Sequence, residues 1–365
     1  MPTEPPAPPP TDAPRVLIVT ATDRRRGAEV FTERLSEGLV ARGWVADSVS
    51  LTSSGEGRRV NVRPITDVSS ARPGRINRHI SRALNEAIRE LRPDVLVANG
   101  GSTLRYGALA TLSSDTPLVY IAIGEPDYWI RSALSRLANR WMLGRTAAVL
   151  AVCDATRRQL VELDPSLGGR VHVTYTGVPD ELFLVRRSAL ETSLRVLVLG
   201  SLSDEKDPFL ALRSLSRLPG IPIRFVGGGP LLQSLRDEAD ALGMSDRVEL
   251  TGAVDDVVPH LEWSNVLLLT SRTEGLPGAV LEAGAASVAT VAVDVGGVRE
   301  AVSDGVTGLV VARDEDGLVE ALERLAADPE LPRSMGRAAR LHMKQRFAMD
   351  HIISGYAARL SEVLG

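Results

Sequence analysis

Short runs of apolar residues alternate along this chain with stretches in which apolar positions recur every three or four residues. Short runs suit strands buried on both faces, and the longer spacing suits helices with one covered side. In the first half the pattern predicts strands at 16–20, 46–51, 95–99, 118–123, 148–153 and 171–175, with helices at 29–41, 76–91, 132–143 and 156–163. In the second half it predicts strands at 194–199, 222–226, 248–252, 266–269, 289–293 and 309–311, with helices between them. Strands alternating with helices in this way build parallel sheets from βαβ units. From about Gly177 to Ser193, turn and charged residues interrupt the alternation, which places a domain junction there.

The resulting expectation is an α/β chain of two doubly wound, Rossmann-like domains in tandem. A proline-rich tail at 1–14 is expected to be disordered. The first domain is then 15–182 and the second 183–345, and the helix at 346–365 packs back on the first. In doubly wound sheets ligands bind beyond the carboxyl ends of the strands, so the chemistry belongs in a central cleft that the two domains face.

Composition narrows the class. At 365 residues the chain is long for one core. No apolar run is long enough for a membrane-spanning helix, and the first residues lack the basic and apolar regions of a secretory signal. Cys153 is the only cysteine, which excludes an internal disulfide and a cysteine zinc site. A cytoplasmic location is the expectation. The five histidines have no ligand spacing, so no metal is expected. Residues 1–182 carry 23 arginines against 20 carboxylates, within a whole-chain charge of −4. That imbalance is too small for a nucleic-acid partner, although it suits contact with an anionic surface.

Candidate chemistry concentrates after the strand at 266–269. Polar positions Ser271 to Glu274 precede Gly275-Leu276-Pro277-Gly278, which leads into a helical pattern with proline in its first turn. The free amides of that turn would face whatever lies beyond the strand. Glu274 then stands at the mouth of a crevice, with Glu282 farther down the helix. A solvated loop acid and an ordinary helix acid have the same spacing, so both readings stay open from these residues alone. Lys206, in GSLSDEKDP, is one of two lysines among forty arginines and follows another strand end. It reads either as a point charge for a phosphate or as a surface lysine. Consecutive glycines at 227–229 permit a ligand's approach or a tight turn.

The segments GSLSDEKDP, IRFVGGGP, VELTGAV, TSRTEGLPGAVLEAGAA and VDVGGVREAVSDGVTGLVV occur in the order and spacing of the nucleotide-sugar domain of glycosyltransferase family 4. The chain resembles these retaining enzymes of GT-B architecture over nearly all of 194–365, and more loosely before that, in RGAEVFTERLSEGLVARGW and VTYTGVPDELF. The resemblance implies roles residue by residue. Glu274 would lie near the transferred sugar, and Glu282 would bind the ribose hydroxyls. Amides after Gly275, through Leu276, Pro277 and Gly278, would meet the sugar or the phosphate. Lys206 would neutralise the diphosphate leaving group, whose developing charge is what catalysis must stabilise. Gly252 falls where family members touch the base, and Gly27 falls on the first-loop glycine near the diphosphate. No cofactor is implied, since the nucleotide-diphosphate sugar is a substrate.

Three positions depart from the family pattern. Ser201 stands where an arginine usually follows the strand-end glycine, which leaves Arg25 or Arg26 to supply that charge. Arg26-Gly27 replaces a double glycine. PLVYIAIGEPDYW has Ile123-Gly124 where many members carry a histidine of the sugar site. Glu125 and Asp127 either take a polar role on the acceptor and sugar side or merely cap the next helix.

Two basic stretches bear on the acceptor. One has Ile76, Ile80, Leu84, Ile88 and Leu91 on a stripe, with Arg75, Arg78, Arg82, Arg89 and Arg92 elsewhere. The other, YWIRSALSRLANRWMLGR, combines arginines with Trp129 and Trp141. Each is either a membrane-surface helix or a core-facing stripe with a solvated basic face. The leading reading is a metal-independent retaining glycosyltransferase acting on a hydroxyl of a glycan, glycolipid or small molecule, with peripheral contact at the inner membrane face. Its rival is a catalytically weakened GT-B relative that binds a nucleotide or glycan as a regulatory or scaffold protein.

Overall fold

Among the described residues, seven strands form the first sheet: β1 (Arg15–Thr22), β2 (Val45–Thr52), β3 (Arg63–Pro64), β4 (Val95–Asn99), β5 (Leu118–Ala122), β6 (Ala148–Ala151) and β7 (Val171–Val173). All are parallel, in the order β3-β2-β1-β4-β5-β6-β7. Among the same residues six strands form the second: β8 (Val196–Leu199), β9 (Ile223–Val226), β10 (Val248–Gly252), β11 (Val266–Leu269), β12 (Ala289–Val293) and β13 (Gly308–Val311). These too are all parallel, in the order β10-β9-β8-β11-β12-β13. The computed structural model describes residues 12–54, 59–67, 76–130, 132–186 and 193–365. Most of the proline-rich tail, Arg75 and part of the expected junction (187–192) lie outside the described residues.

Residues 1–174 with 352–365 make one compact unit, and residues 175–351 make the other. Each sheet is flanked by helices, the two Rossmann-like domains that the alternation predicts. The continuous apolar runs are explained by burial on both faces: every residue of β4, β6, β11 and β12 is buried. In each sheet the strand order reverses beside the first strand, between β1 and β4 and between β8 and β11. Loops leaving neighbouring strands diverge at such points, which opens a crevice at the carboxyl edge.

Several elements differ from expectation. Helix Gly101–Ala110 carries two glycines and no clear apolar repeat, so its pattern does not announce it. Close packing against the sheet holds it: a Cβ on Gly107 would come within 2.9 Å of Leu118 Cδ1. Strand β3 is only two residues long, too short to show periodicity. The stripe on helix Arg78–Leu91 is core, because Ile80, Leu84 and Ile88 are buried under the first sheet. Asn77 caps this helix, accepting from the His79 amide at 2.9 Å. Its apolar face is already covered, which removes it as a membrane-binding face.

The last helix, Met349–Leu364, joins the first unit from Ile352 onward. Tyr356 is fully buried there, 5.3 Å from the Phe31 ring, and its hydroxyl donates to the Thr174 carbonyl at 3.1 Å.

Candidate functional site

The crevice between β8 and β11 gathers the charged residues of the second unit. The loops leaving these strands are tied together before any long side chain enters. Thr270 Oγ1 donates to the carbonyls of Lys206 (3.2 Å) and Asp207 (2.9 Å), and the Arg272 amide donates to the Glu205 carbonyl at 2.7 Å. Residues 68 apart in sequence are thereby fixed side by side: Lys206 Nζ donates to Glu274 Oε1 at 2.7 Å. Ser271 Oγ donates to the same oxygen at 2.6 Å. Glu274 is buried, and a carboxylate in that setting is costly unless paired and hydrogen-bonded. Glu205 Oε1 lies 3.8 Å from the same ammonium. Burial pushes the Glu205 carboxyl above its ordinary range, the Glu274 charge adds to this, and Lys206 opposes it. One lysine therefore serves two acids, and Glu274 takes the shorter contact.

Asp207 holds this geometry from beneath. It sits in the left-handed region at φ 44, which aspartate tolerates better than most residues. Its carboxylate is buried, pairs with Arg272 at 2.8 Å and with Arg313, and lies 3.4 Å from the Leu210 amide as the cap of helix Pro208–Ser216. Sequence reasoning passed over this network. The Asp-Pro dipeptide before an apolar repeat is its one sequence signal, as a helix-start motif.

The glycine run packs backbone on backbone. Gly227 has φ 145, and a Cβ there would lie 1.8 Å from the Gly200 carbonyl oxygen. The Leu202 amide bonds the Gly228 carbonyl at 3.0 Å. Gly252 closes β10 at φ 72, its carbonyl accepting from the Gly227 amide at 2.9 Å. Ser201 is exposed, with its Oγ 3.2 Å from Ser203 Oγ.

Beyond Glu274, the Gly275 carbonyl accepts from the Gly297 amide at 2.8 Å, and Leu276 and Pro277 are buried. Helix Gly278–Ala285 has Pro277 as its N-cap rather than inside the first turn, because the Pro277 carbonyl already accepts from Val280 (3.0 Å) and Leu281 (3.2 Å). No side chain caps this helix, so its first amides remain oriented along the helix axis. Glu282 lies one turn in and is half-buried.

In the first unit, Arg26 is the exposed N-cap of helix Gly27–Val40 and makes no side-chain cap bond, and a Cβ on Gly27 would meet nothing within 4 Å. Glu125 occupies the N-cap of helix Pro126–Trp129 without a side-chain cap bond, and Asp127 is exposed in its first turn. Capping therefore does not account for Glu125. The crevice between β1 and β4 holds a polar node that sequence reasoning missed. Thr20 Oγ1 donates to Glu29 Oε1 at 3.3 Å, and Asn99 Nδ2 donates to the Ala28 carbonyl (2.9 Å) and to Thr32 Oγ1 (2.8 Å). Burial pushes the Glu29 carboxyl up to about 7, against the lowering pull of its backbone bond, Arg26 and Thr20. An acid in the first turn of an amphipathic helix ordinarily reads as a surface partner of the helix dipole, which hides this one.

Among the described residues, no three His, Cys, Asp or Glu side chains are grouped to hold a metal ion, and no helix is long and apolar enough to cross a membrane.

Comparison with known proteins follows the same division. The family model described as Glycosyltransferase Family 4 matches residues 25–182, and that described as Glycosyl transferases group 1 matches residues 183–342. A GDP-mannose-dependent alpha-(1-6)-phosphatidylinositol monomannoside mannosyltransferase of Mycobacterium tuberculosis is 35% identical over 158 residues, 40% of each chain. The match spans only 30% and 40% of the length of the first curated relatives. Among solved structures, a sucrose-phosphate synthase from Thermosynechococcus elongatus superposes with a TM-score of 0.84 at 16% identity, covering 96% of this chain and 99% of that one. Anabaena HepE in complex with UDP and glucose gives 0.81 at 19% identity, covering 95% and 99%. These likenesses carry the fold, the paired Rossmann-like domains of GT-B proteins. With both halves matched by their family models, the chain belongs to glycosyltransferase family 4, the glycosyl transferases of group 1.

Proposed function

We propose that this protein transfers a sugar from a nucleotide-diphosphate donor to an acceptor hydroxyl, with retention of anomeric configuration. The observation that carries the proposal is the Lys206–Glu274 contact of 2.7 Å at the reversal point of the second sheet. A lone ion pair there would be structural. This one sits at the carboxyl edge where ligands bind such sheets, beside an uncapped helix start whose dipole favours an anion. Lys206 is half-buried, so its ammonium is positioned for a diphosphate and carries the charge that a metal ion would otherwise supply.

In the proposed step the bond from the anomeric carbon to the diphosphate oxygen breaks, and the electron pair leaves on the diphosphate. The acceptor oxygen bonds to that carbon, and its proton ends on the departing phosphate. Lys206 and the amides of the first turn at Gly278 stabilise the charge that grows on the leaving group. Both observed bonds to Glu274 fall on Oε1, which leaves Oε2 for a donor-sugar hydroxyl. Glu282 binds the ribose hydroxyls, and Gly252 lies at the base. Arg26, Gly27 and Ser201 on the donor side, and Glu125 and Asp127 on the acceptor side, enter through the family resemblance, as does retention. The acceptor is a glycan or lipid-linked hydroxyl, reached by peripheral contact with a membrane. A binding-only relative is not favoured, because the lysine–glutamate contact is intact.

A panel of nucleotide sugars, read by thermal shift and by release of free nucleoside diphosphate, tests this. One donor is expected to bind and turn over, and Glu274→Gln is expected to lower turnover about a thousandfold with the fold intact. Turnover unchanged in Glu274→Gln contradicts the assignment. Proton NMR of the product reports the anomeric configuration.

A further inference from the structure

We propose that Glu205 takes up a proton when a nucleoside diphosphate enters the crevice of the second unit, so that donor binding is coupled to protonation of the protein; this rests on the donor reading above and adds the residue that regulates it. The geometry behind it is a shared cation. Lys206 Nζ donates to Glu274 Oε1 at 2.7 Å and lies 3.8 Å from Glu205 Oε1. Two carboxylates thus face one ammonium, and a diphosphate entering there is a third anion on the same charge.

The two acids are not equivalent. Glu274 is buried and keeps a second donor, Ser271 Oγ at 2.6 Å. Glu205 is half-buried, and among the described residues its carboxyl has no hydrogen-bond donor, only the longer contact to Lys206. Its backbone is pinned, because the Arg272 amide donates to the Glu205 carbonyl at 2.7 Å and the Lys206 amide donates to the Ser203 carbonyl at 3.0 Å. The other charges of these loops are committed elsewhere. Arg272 and Arg313 pair with Asp207, Arg272 Nε donates to the Asp204 carbonyl at 3.0 Å, and Asp204 itself is exposed. Among the described residues, Lys206 is therefore the cation and Glu274 the anion that act on the Glu205 carboxyl.

A phosphate oxygen within hydrogen-bonding distance of Lys206 Nζ comes up beside Glu205 Oε1, which already lies against that ammonium. Two anions held so close in a half-buried crevice repel, and the less costly state is the one in which the weaker-held acid is neutral. Burial already pushes the Glu205 carboxyl above its ordinary range, with Lys206 opposing and the Glu274 charge adding to it. A bound diphosphate takes over the ammonium, so it removes the one lowering influence and adds another raising one. The proton comes from solvent onto the carboxylate, and the resulting O–H is a donor for the phosphate. Because the bound form holds the proton more tightly, affinity is greatest at acidic pH. It falls as pH rises through the interval between the free and bound titrations of Glu205.

Calorimetric titration of UDP, GDP, ADP and dTDP into the full chain, repeated at one pH in buffers of different ionisation enthalpy, counts the protons exchanged on binding. A diphosphate that meets a cation only loses protons, so net uptake reports on the protein. Uptake near neutral pH is expected for whichever nucleotide binds, and Glu205→Gln is expected to abolish it. From about pH 6 to about pH 8 the affinity of the parent is expected to fall at least about tenfold more than that of the variant. A merely structural Glu205 would change affinity equally at every pH. Melting temperatures confirm that the variant is folded, and the parent's own proton count stands without it. Binding without proton uptake, or uptake that persists in Glu205→Gln, overturns this inference and leaves the donor reading standing. Binding by none of the nucleotides overturns both.

Discussion

The two crevices occupy equivalent places in their sheets and are built from opposite materials. Between β8 and β11, a lysine, two glutamates and a buried aspartate with two arginines meet within hydrogen-bonding or ion-pairing range. Between β1 and β4, the floor is Thr20, Asn99, Thr32 and a glutamate whose carboxyl titrates near neutrality. One crevice is arranged to hold charge, the other to avoid it. A parallel sheet supplies the opening in both cases, and only the loop chemistry decides what enters. Function thus lives in the loops while the strands set the address.

Removing the conformational freedom behind the charged crevice gives the largest expected effect. Gly227→Ala places a methyl group against the Gly200 carbonyl at a φ that L residues rarely adopt. It is expected to cost about 3 kcal/mol or more in chemical denaturation. A cost below about 1 kcal/mol would mean that the β8 and β9 loops do not depend on that backbone contact.

Glu29→Gln sharpens the contrast from the other side. The folded carboxyl titrates near 7 against an ordinary 4.5, so folding favours its protonated form. That contribution is complete below about 4.5 and is lost as pH rises through 7. Parent and variant should have similar stability at acidic pH. Above neutrality the variant should be the more stable, by up to about 3 kcal/mol. Parallel stability curves for the two proteins would show that Glu29 is not buried as an acid.

Asp207→Ala leaves Arg272 and Arg313 without their shared partner and removes a helix cap. Because both arginines are partly exposed, the expected loss is about 2 kcal/mol, with weaker nucleotide binding as the Lys206 loop loosens. Unchanged binding would reduce Asp207 to a stability residue.

Much of this architecture is legible in the sequence. The apolar runs locate most strands because a parallel strand covered on both faces is apolar along most of its length. Helix Gly101–Ala110 escapes because its buried residues, Thr103, Leu104, Tyr106, Gly107, Ala108 and Ala110, mix small and polar positions and spell no apolar repeat. Glu274 and Lys206 stand out through motif order and lysine scarcity, although nothing in their sequence positions specifies a 2.7 Å contact. Asp207 acts through Arg272 and Arg313, far away in the chain, and Ser271 and Glu29 act through burial, and local pattern is silent on both. The arginine-rich stretches show the same limit. Arg78–Leu91 and Ala133–Gly144 look alike as sequences, and only packing separates a core stripe from an exposed one.

The central claim is that the crevice of the second unit binds a nucleoside diphosphate through Lys206. Calorimetric titration of nucleoside diphosphates into the parent, Lys206→Ala and Glu29→Gln tests it most directly. At least one nucleotide is expected to bind the parent, to bind Glu29→Gln equally, and to bind Lys206→Ala about a hundredfold more weakly. Equal affinity in the parent and Lys206→Ala, or no binding by any nucleotide, would contradict it.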